Sequence, residues 1–256
     1  MNKIRCNFRK FSAILALSVI VVVVLPLKAC AKEPEPAGII IMTTKARELS
    51  LAVVVAGDVS IDWGDGKKSN VNDSFHFDEV FERFWFTHEY SGTTEHNIAI
   101  TGNVKKMFCS SIGLTALDVS KNTALTDLYC NQNQLITLDL SRNTMLTDLY
   151  CDQNQLTALD VSKNTALESL ECNWNHLTRL DVSKNKALKI LSCVGNQFTV
   201  SALNDLFGTL PDYSKTDHVA AIYISERNPN AVSNPATLDC DRSIAEKRGW
   251  HFRTLR

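Results

Sequence analysis

The sequence predicts a mainly β chain, in which a β-sandwich is followed by a short solenoid of stacked coils and an α/β C-terminal cap. Three observations predict it. A 21-residue unit recurs in four successive copies from Leu114 to Asn196. Short apolar runs, separated by Gly, Asp and Ser, fill residues 38–108. A basic and then apolar leader precedes them. A chain of 256 residues has room for one or two domains with hydrophobic cores.

Taken in order, residues 1–29 read as a secretory signal. Lys3, Arg5, Arg9 and Lys10 precede an apolar run, Phe11 to Leu27, as basic n-regions precede h-regions. The run ends at Leu27-Lys28-Ala29-Cys30, which resembles a bacterial lipobox, although Lys28 replaces the usual small or apolar residue. The resemblance implies cleavage before Cys30 and lipidation of its thiol. An uncleaved anchor is the alternative, but the 17 residues of the run include Pro26 and fall short of the roughly 20 needed to span a bilayer. Residues 30–37 form a polar tether. Its Lys32-Glu33-Pro34-Glu35-Pro36 resembles the acidic tag that directs some lipoproteins to the outer face of the outer membrane. The expected location is therefore the bacterial outer membrane, lipid-anchored and surface-exposed. Removing five cations with the leader takes the net charge from −1 to −6. A nucleic-acid partner is excluded on that ground, since such binding is driven by cations on the protein.

Residues 38–108 contain runs at Ile39–Met42, Leu49–Ala56, Val59–Trp63, Phe84–His88 and Ile98–Thr101, each expected to be a strand. Trp63-Gly64-Asp65-Gly66, followed by His88-Glu89-Tyr90, resembles the signature of PKD-like immunoglobulin-type β-sandwiches.

Residues 109–199 hold the repeats. Leu114-x-x-Leu117-x-Val119-x-x-Asn122 is followed by Leu125-x-x-Leu128-x-Cys130-x-x-Asn133, and the pair returns from Leu135, Leu156 and Leu177. Both halves resemble the leucine-rich-repeat core, and the whole resembles the nested 21-residue class of bacterial leucine-rich repeats. In L-x-L the two apolar side chains share one side of a short strand. One coil leaves that side bare; stacking coils roughly 4.8 Å apart buries it. The Asn residues form two columns, expected to satisfy turn backbone and one another. Cys109 lies 21 residues before Cys130 and is expected to open a capping half-coil, with Ile112 at the Asn position. Residues 200–256 form the cap, with a helix over Ser201–Phe207, a strand over His218–Ser225, a helix over Asp241–Arg248 with Asp241 as N-cap, and a last strand over Trp250–Thr254.

Candidate chemistry is sparse. Cys109, Cys130, Cys151, Cys172 and Cys193 fall at one repeat position. Neighbours in adjacent coils approach disulfide range, whereas zinc is disfavoured because a line of thiols is not a tetrahedron. The reading preferred is a small hydrophobe filling a narrow core. Asp118, Asp139, Asp160 and Asp181 stack at exposed positions, either as a cation row or offset by Lys121, Arg142, Lys163 and Lys184. Asp65 is read as a turn residue bonding backbone amides, with Trp63 and Tyr90 as core or corner residues, rather than as an acid–base pair with His88. G-x-S-x-G, H-E-x-x-H and P-loop signatures do not occur. No catalysis, metal or cofactor is expected.

What remains is surface. The outward strand position of the second half carries Tyr129, Tyr150, Glu171 and Ser192, and the loop beyond it carries Trp174 and His176. Exposed aromatics are enriched at binding hot spots. Tyr129, Tyr150, Glu171, Trp174 and His176 are the candidate binding surface, with ring packing between coils as the competing reading. The function expected is non-catalytic binding of a protein or glycan at the cell surface. A spacer or accessory subunit of a surface complex is the alternative.

Overall fold

The structure is a computed structural model and describes residues 38–74, 76–80, 82–226 and 236–255. The leader, Cys30 and the tether lie outside the described residues.

Residues 38–108 supply β1 (Ile39–Thr44), β2 (Glu48–Asp62), β3 (Lys68–Asn70), β4 (His76–Asp78), β5 (Arg83–Glu89) and β6 (His96–Phe108). Two of the expected runs, Leu49–Ala56 and Val59–Trp63, are one strand, β2. Gly57, with φ of 93°, marks the irregular stretch between them, where the pairing with β6 shifts register. β2 pairs antiparallel with β5 over its first half, with β3 over its last residues, and with β6 along most of its length. β6 continues past the expected Ile98–Thr101. Its first half pairs with β1, while Lys106–Phe108 pairs in parallel with the first repeat. One strand thus joins the N-terminal sheet to the solenoid.

The repeats follow as β7 (Leu114–Asp118), β8 (Asp127–Tyr129), β9 (Asp148–Tyr150), β10 (Ser169–Glu171) and β11 (Ile190–Ser192). β8 to β11 stack in parallel with a constant offset of 21, so that Leu128 faces Leu149, Leu149 faces Leu170, and Leu170 faces Leu191. All four are fully buried, as are Leu125, Leu146, Leu167 and Leu188. Burying such side chains is worth roughly 1.5–3 kcal/mol each, offset largely by ordering the chain. Strands in both halves of every repeat were expected. Only the first copy has one in its first half, because β7 finds an antiparallel partner in β1, whereas Ile136–Asp139, Thr157–Asp160 and Thr178–Asp181 have no ladder beside them.

The two Asn columns work differently. Asn154 accepts the Leu135 amide at 3.0 Å and donates to the carbonyls of Cys130 and Cys151; Asn133, Asn175 and Asn196 repeat the pattern. Asn143 donates to Val119 and Asn122 carbonyls of the preceding coil, but its Oδ1 accepts nothing. The expectation that these amides also bond one another is corrected: each bonds main chain. An Asn amide reaching a carbonyl one coil back leaves no geometry for a side-chain ladder.

The cap extends the same sheet. α1 (Val200–Thr209) is capped by Thr199, whose hydroxyl accepts the Ala202 amide, and buries Leu203, Leu206 and Phe207. β12 (Ala220–Glu226) pairs in parallel with β11 and with β13 (Trp250–Leu255). The second helix is one turn, α2 (Ser243–Glu246), and not Asp241–Arg248. Its N-cap is Arg242, while Asp241 holds the Ser243 amide at 3.0 Å from just outside. The exposed Leu row of the last coil is therefore covered by α1 and β12.

Candidate functional site

Four copies that are nearly identical expose what the coil itself does not dictate. Along the first half one outward residue recurs in every copy: Asp118, Asp139, Asp160 and Asp181, each followed two positions on by Ser, while the position before the second Leu changes as Ala116, Thr137, Ala158 and Arg179. The second half is shared by the first two copies and departs in the last two, with Tyr129 and Tyr150 giving way to Glu171 and Ser192 at one position and Gln132 and Gln153 to Trp174 and Gly195 at another.

The Asp row has a local reason. Each carboxylate accepts the amide of the Ser two residues later, at 2.9, 2.9, 2.8 and 2.7 Å. The hydroxyl and amide of that Ser together hold each carboxyl below the usual range, and the basic residues three positions on add a smaller share. Sequence reasoning named the basic row but missed the turn; an Asp-x-Ser spacing repeated four times was the available signal.

The Tyr positions build a face. The rings of Phe108, Tyr129 and Tyr150 stack with centroids 4.6 Å apart and interplanar angles of 14° and 7°. That spacing is the strand spacing, so parallel strands in register force the rings face to face. All three remain half-buried. Burial raises the Tyr129 hydroxyl to about 12 and raises that of Tyr150, so both are neutral donors at physiological pH. Packing and exposure, posed above as alternatives, coexist here.

Glu171 continues the Tyr column on β10, in register with Tyr150. Trp174 sits in the turn beyond β10 at φ of 48°, in the left-handed region that Ser111, Gln132 and Gln153 also occupy. Its ring lies against Gly195, where a Cβ would come within 2.4 Å of the indole. A side chain at Gly195 and the indole in its place exclude each other. His176 is exposed and bonds Gln197 at 3.2 Å through Nδ1. Tyr129, Tyr150 and Glu171 thus share the strand face, and Trp174 and His176 line the adjoining turns.

A residue that the sequence did not flag is Asp152. It is 6% exposed, accepting from the Asn131 amide at 3.0 Å and the Asn173 amide nitrogen at 2.7 Å. Burial, only partly offset by those bonds, pushes its carboxyl up to about 6. Asn occupies the same position in the coils on either side.

Cys109, Cys130, Cys151, Cys172 and Cys240 are free and buried, and Cys193 is buried in the same column. Cys109, Cys151 and Cys172 place Sγ 3.4–3.5 Å from carbonyls of the following coil. Burial raises Cys109 and Cys193 to about 12, leaving unreactive thiols rather than nucleophiles. Among the described residues no group of three His, Cys, Asp or Glu is placed to hold a metal.

The W-G-D-G and H-x-Y motifs do meet. His88 Nε2 lies 2.9 Å from Asp65 Oδ2, its ring stacks on Trp63 at 4.6 Å, and Tyr90 donates to the Trp63 carbonyl at 2.7 Å. Burial raises the Asp65 carboxyl, but the bonds from His88 and the Lys67 amide outweigh it and hold it low. Gly64, at φ of 77°, leaves no room for a Cβ beside the Asn97 carbonyl. This is a packed corner with its polar groups committed to one another.

Fold and face together define a mainly β leucine-rich-repeat solenoid. No protein-family model and no curated protein matches the chain. Among solved structures it is similar to the functional domain of InlJ from Listeria monocytogenes, described as including a cysteine ladder, with 30% identity over 56% of this chain and a TM-score of 0.25. It is also similar to the internalin InlF of Listeria monocytogenes, with 18% identity over 58% of this chain and a TM-score of 0.40. The chain spans 42% and 46% of their lengths.

Proposed function

We propose that the chain is a non-catalytic surface lipoprotein that binds a protein ligand through the strand face of its second half-coils. One observation carries this reading: the half-buried Phe108–Tyr129–Tyr150 row stands on the face where the copies diverge. Aromatic anchors of this kind dominate protein interfaces. Between protein and glycan the ring geometry favours protein. Sugars stack on ring faces, and here Phe108, Tyr129 and Tyr150 fill the faces between them with one another, leaving only the C-terminal face of Tyr150 without a ring on it. A catalytic reading gains little support, because the Asp65–His88 pair is built into a packed corner and the Asp row is held ionised by its own turns.

Two further parts belong to the same reading. Residues 38–108 are a PKD-like module, supported by the contact of Trp63, His88 and Tyr90. Cys30 is the lipid attachment point that tethers the chain to the outer membrane.

The test uses full-length protein in detergent against an array of secreted and membrane protein ectodomains and glycans. A protein hit that weakens at least a hundredfold in Tyr129→Ala/Tyr150→Ala, with the melting transition retained, supports the assignment. Hits indifferent to that change, or glycans alone, overturn it; no hits at all favour a spacer. For the anchor, Cys30→Ala releases the protein from the membrane fraction, and continued membrane retention refutes lipidation.

A further inference from the structure

The ring stack ends differently at its two ends. At the N-terminal end the Arg83 guanidinium lies 4.9 Å from the Phe108 ring centroid and 5.5 Å from that of Trp85. Its Nη2 is 2.7 Å from the Asp78 carboxylate. A ring, a cation and a carboxylate thus close that end, an arrangement in which the ring quadrupole and the anion both favour the cation. At the other end Tyr150 is the last ring of the row, and the next coil places Glu171 beside it. Asp148 stands on the same strand two residues before Tyr150. Among the described residues neither Glu171 nor Asp148 has an ion pair, while the nearby Asp127 is served by Lys106 at 3.0 Å. Ring and carboxylates are present; the cation is not.

Three departures from the repeat fall in the two coils that meet at this end. Glu171 replaces the Tyr of the two preceding coils, Asp152 replaces the Asn of its column, and Trp174 replaces Gln. Neither acid is what a coil needs. Burial raises the Glu171 carboxyl, the Asp152 charge raises it further, and Asp152 is itself raised to about 6. Uncompensated buried charge costs stability. A carboxylate retained in that setting, on the face that varies, fits a role met only when something positive arrives.

We propose that the C-terminal end of the ring row, Tyr150 with Asp148 and Glu171, receives an arginine or lysine side chain of the protein partner, filling there the place that Arg83 fills at the other end. This rests on the reading of the strand face as the binding surface and names the chemistry of its ligand. The occupant is a side chain rather than a metal ion, since no three ligating groups converge among the described residues.

The probe is the octapeptide (Arg-Gly)4 and its neutral counterpart with citrulline for arginine, titrated calorimetrically into full-length protein in detergent at low ionic strength, where screening is weak. The arginine peptide binds, and the citrulline peptide binds at least about tenfold more weakly, the scale of a desolvated cation–ring contact. Glu171→Gln loses about as much. Glu171→Tyr copies the residue of the preceding coils, so it folds and loses the arginine preference. Asp217→Asn, an exposed acid in the cap, leaves binding unchanged. Equal binding of both peptides, binding of neither, or equal losses from Glu171→Gln and Asp217→Asn overturns the proposal. If Glu171→Gln is silent while Tyr129→Ala/Tyr150→Ala still abolishes capture of the protein ligand, the cation site falls and the strand-face reading stands. If both changes are silent, both fall.

Discussion

The two halves of each coil answer to different demands. In the first half, Asp160 caps its own turn and Asn164 donates to the Leu140 and Asn143 carbonyls of the coil before. Every polar group named there faces the backbone, and the Asp, the Ser two positions on and the Asn recur in all four copies. In the second half, Asn175 does the bracing, while Glu171 and Trp174 point away from that task and change from copy to copy. Invariance among copies marks what the stack requires. Divergence marks what is left for a ligand.

That contrast can be strained at several points. The largest effect belongs to the shared core: Leu149→Ala costs about 2–5 kcal/mol through lost burial and the cavity left behind, and Leu149→Asp unfolds the stack. Denaturant titration reads both, and a stable Leu149→Asp variant contradicts the assignment of the inner face. Next come the two Asn columns. Asn154→Ala strands an amide and carbonyls at once and costs about 2–4 kcal/mol, whereas Asn143→Ala, whose Oδ1 accepts nothing, costs about 1–2 kcal/mol. Equal losses mean that the second half is no better braced than the first.

Asp152 gives a pH-dependent effect of opposite sign. Its carboxyl is raised from 3.8 to about 6 on folding, so the folded state holds the proton more tightly than the unfolded chain. Stability is then highest below pH 4 as far as this group is concerned, and falls as pH rises from about 4 to about 6. Asp152→Asn removes that fall and raises stability by on the order of 1–3 kcal/mol at pH 8, with no gain at pH 4. Melting temperatures of the two proteins between pH 4 and 8 check the sign. Parallel curves contradict a raised carboxyl. The smallest change is Asp160→Asn, which keeps the acceptor for the Ser162 amide and shifts stability by at most about 0.5 kcal/mol.

Much of the fold was legible because a period of 21 leaves few ways to bury its leucines. Leu128, Leu149, Leu170 and Leu191 stand in one column as that period demands. What sequence could not give depends on partners distant along the chain. β7 is a strand because β1 lies beside it, and β6 runs on because its end becomes a rung. The short helix α2 fell below the expected length because its buried content is a single residue, Ala245. For the candidate site, the aromatic column was readable from Tyr129 and Tyr150, but its first ring, Phe108, and its cation, Arg83, come from a region of different pattern. Asp152 escaped notice because an Asp among Asn residues looks conservative until its burial is known.

The division of labour between half-coils is tested most directly by mapping amide 1H–15N shifts of the full-length protein as the arginine peptide is added. Shifts confined to residues 127–132, 148–153 and 169–174 are the result expected. Shifts centred on the Asp turns at 118–121, 139–142 and 160–163 would place the ligand on the bracing half, and the account would be wrong.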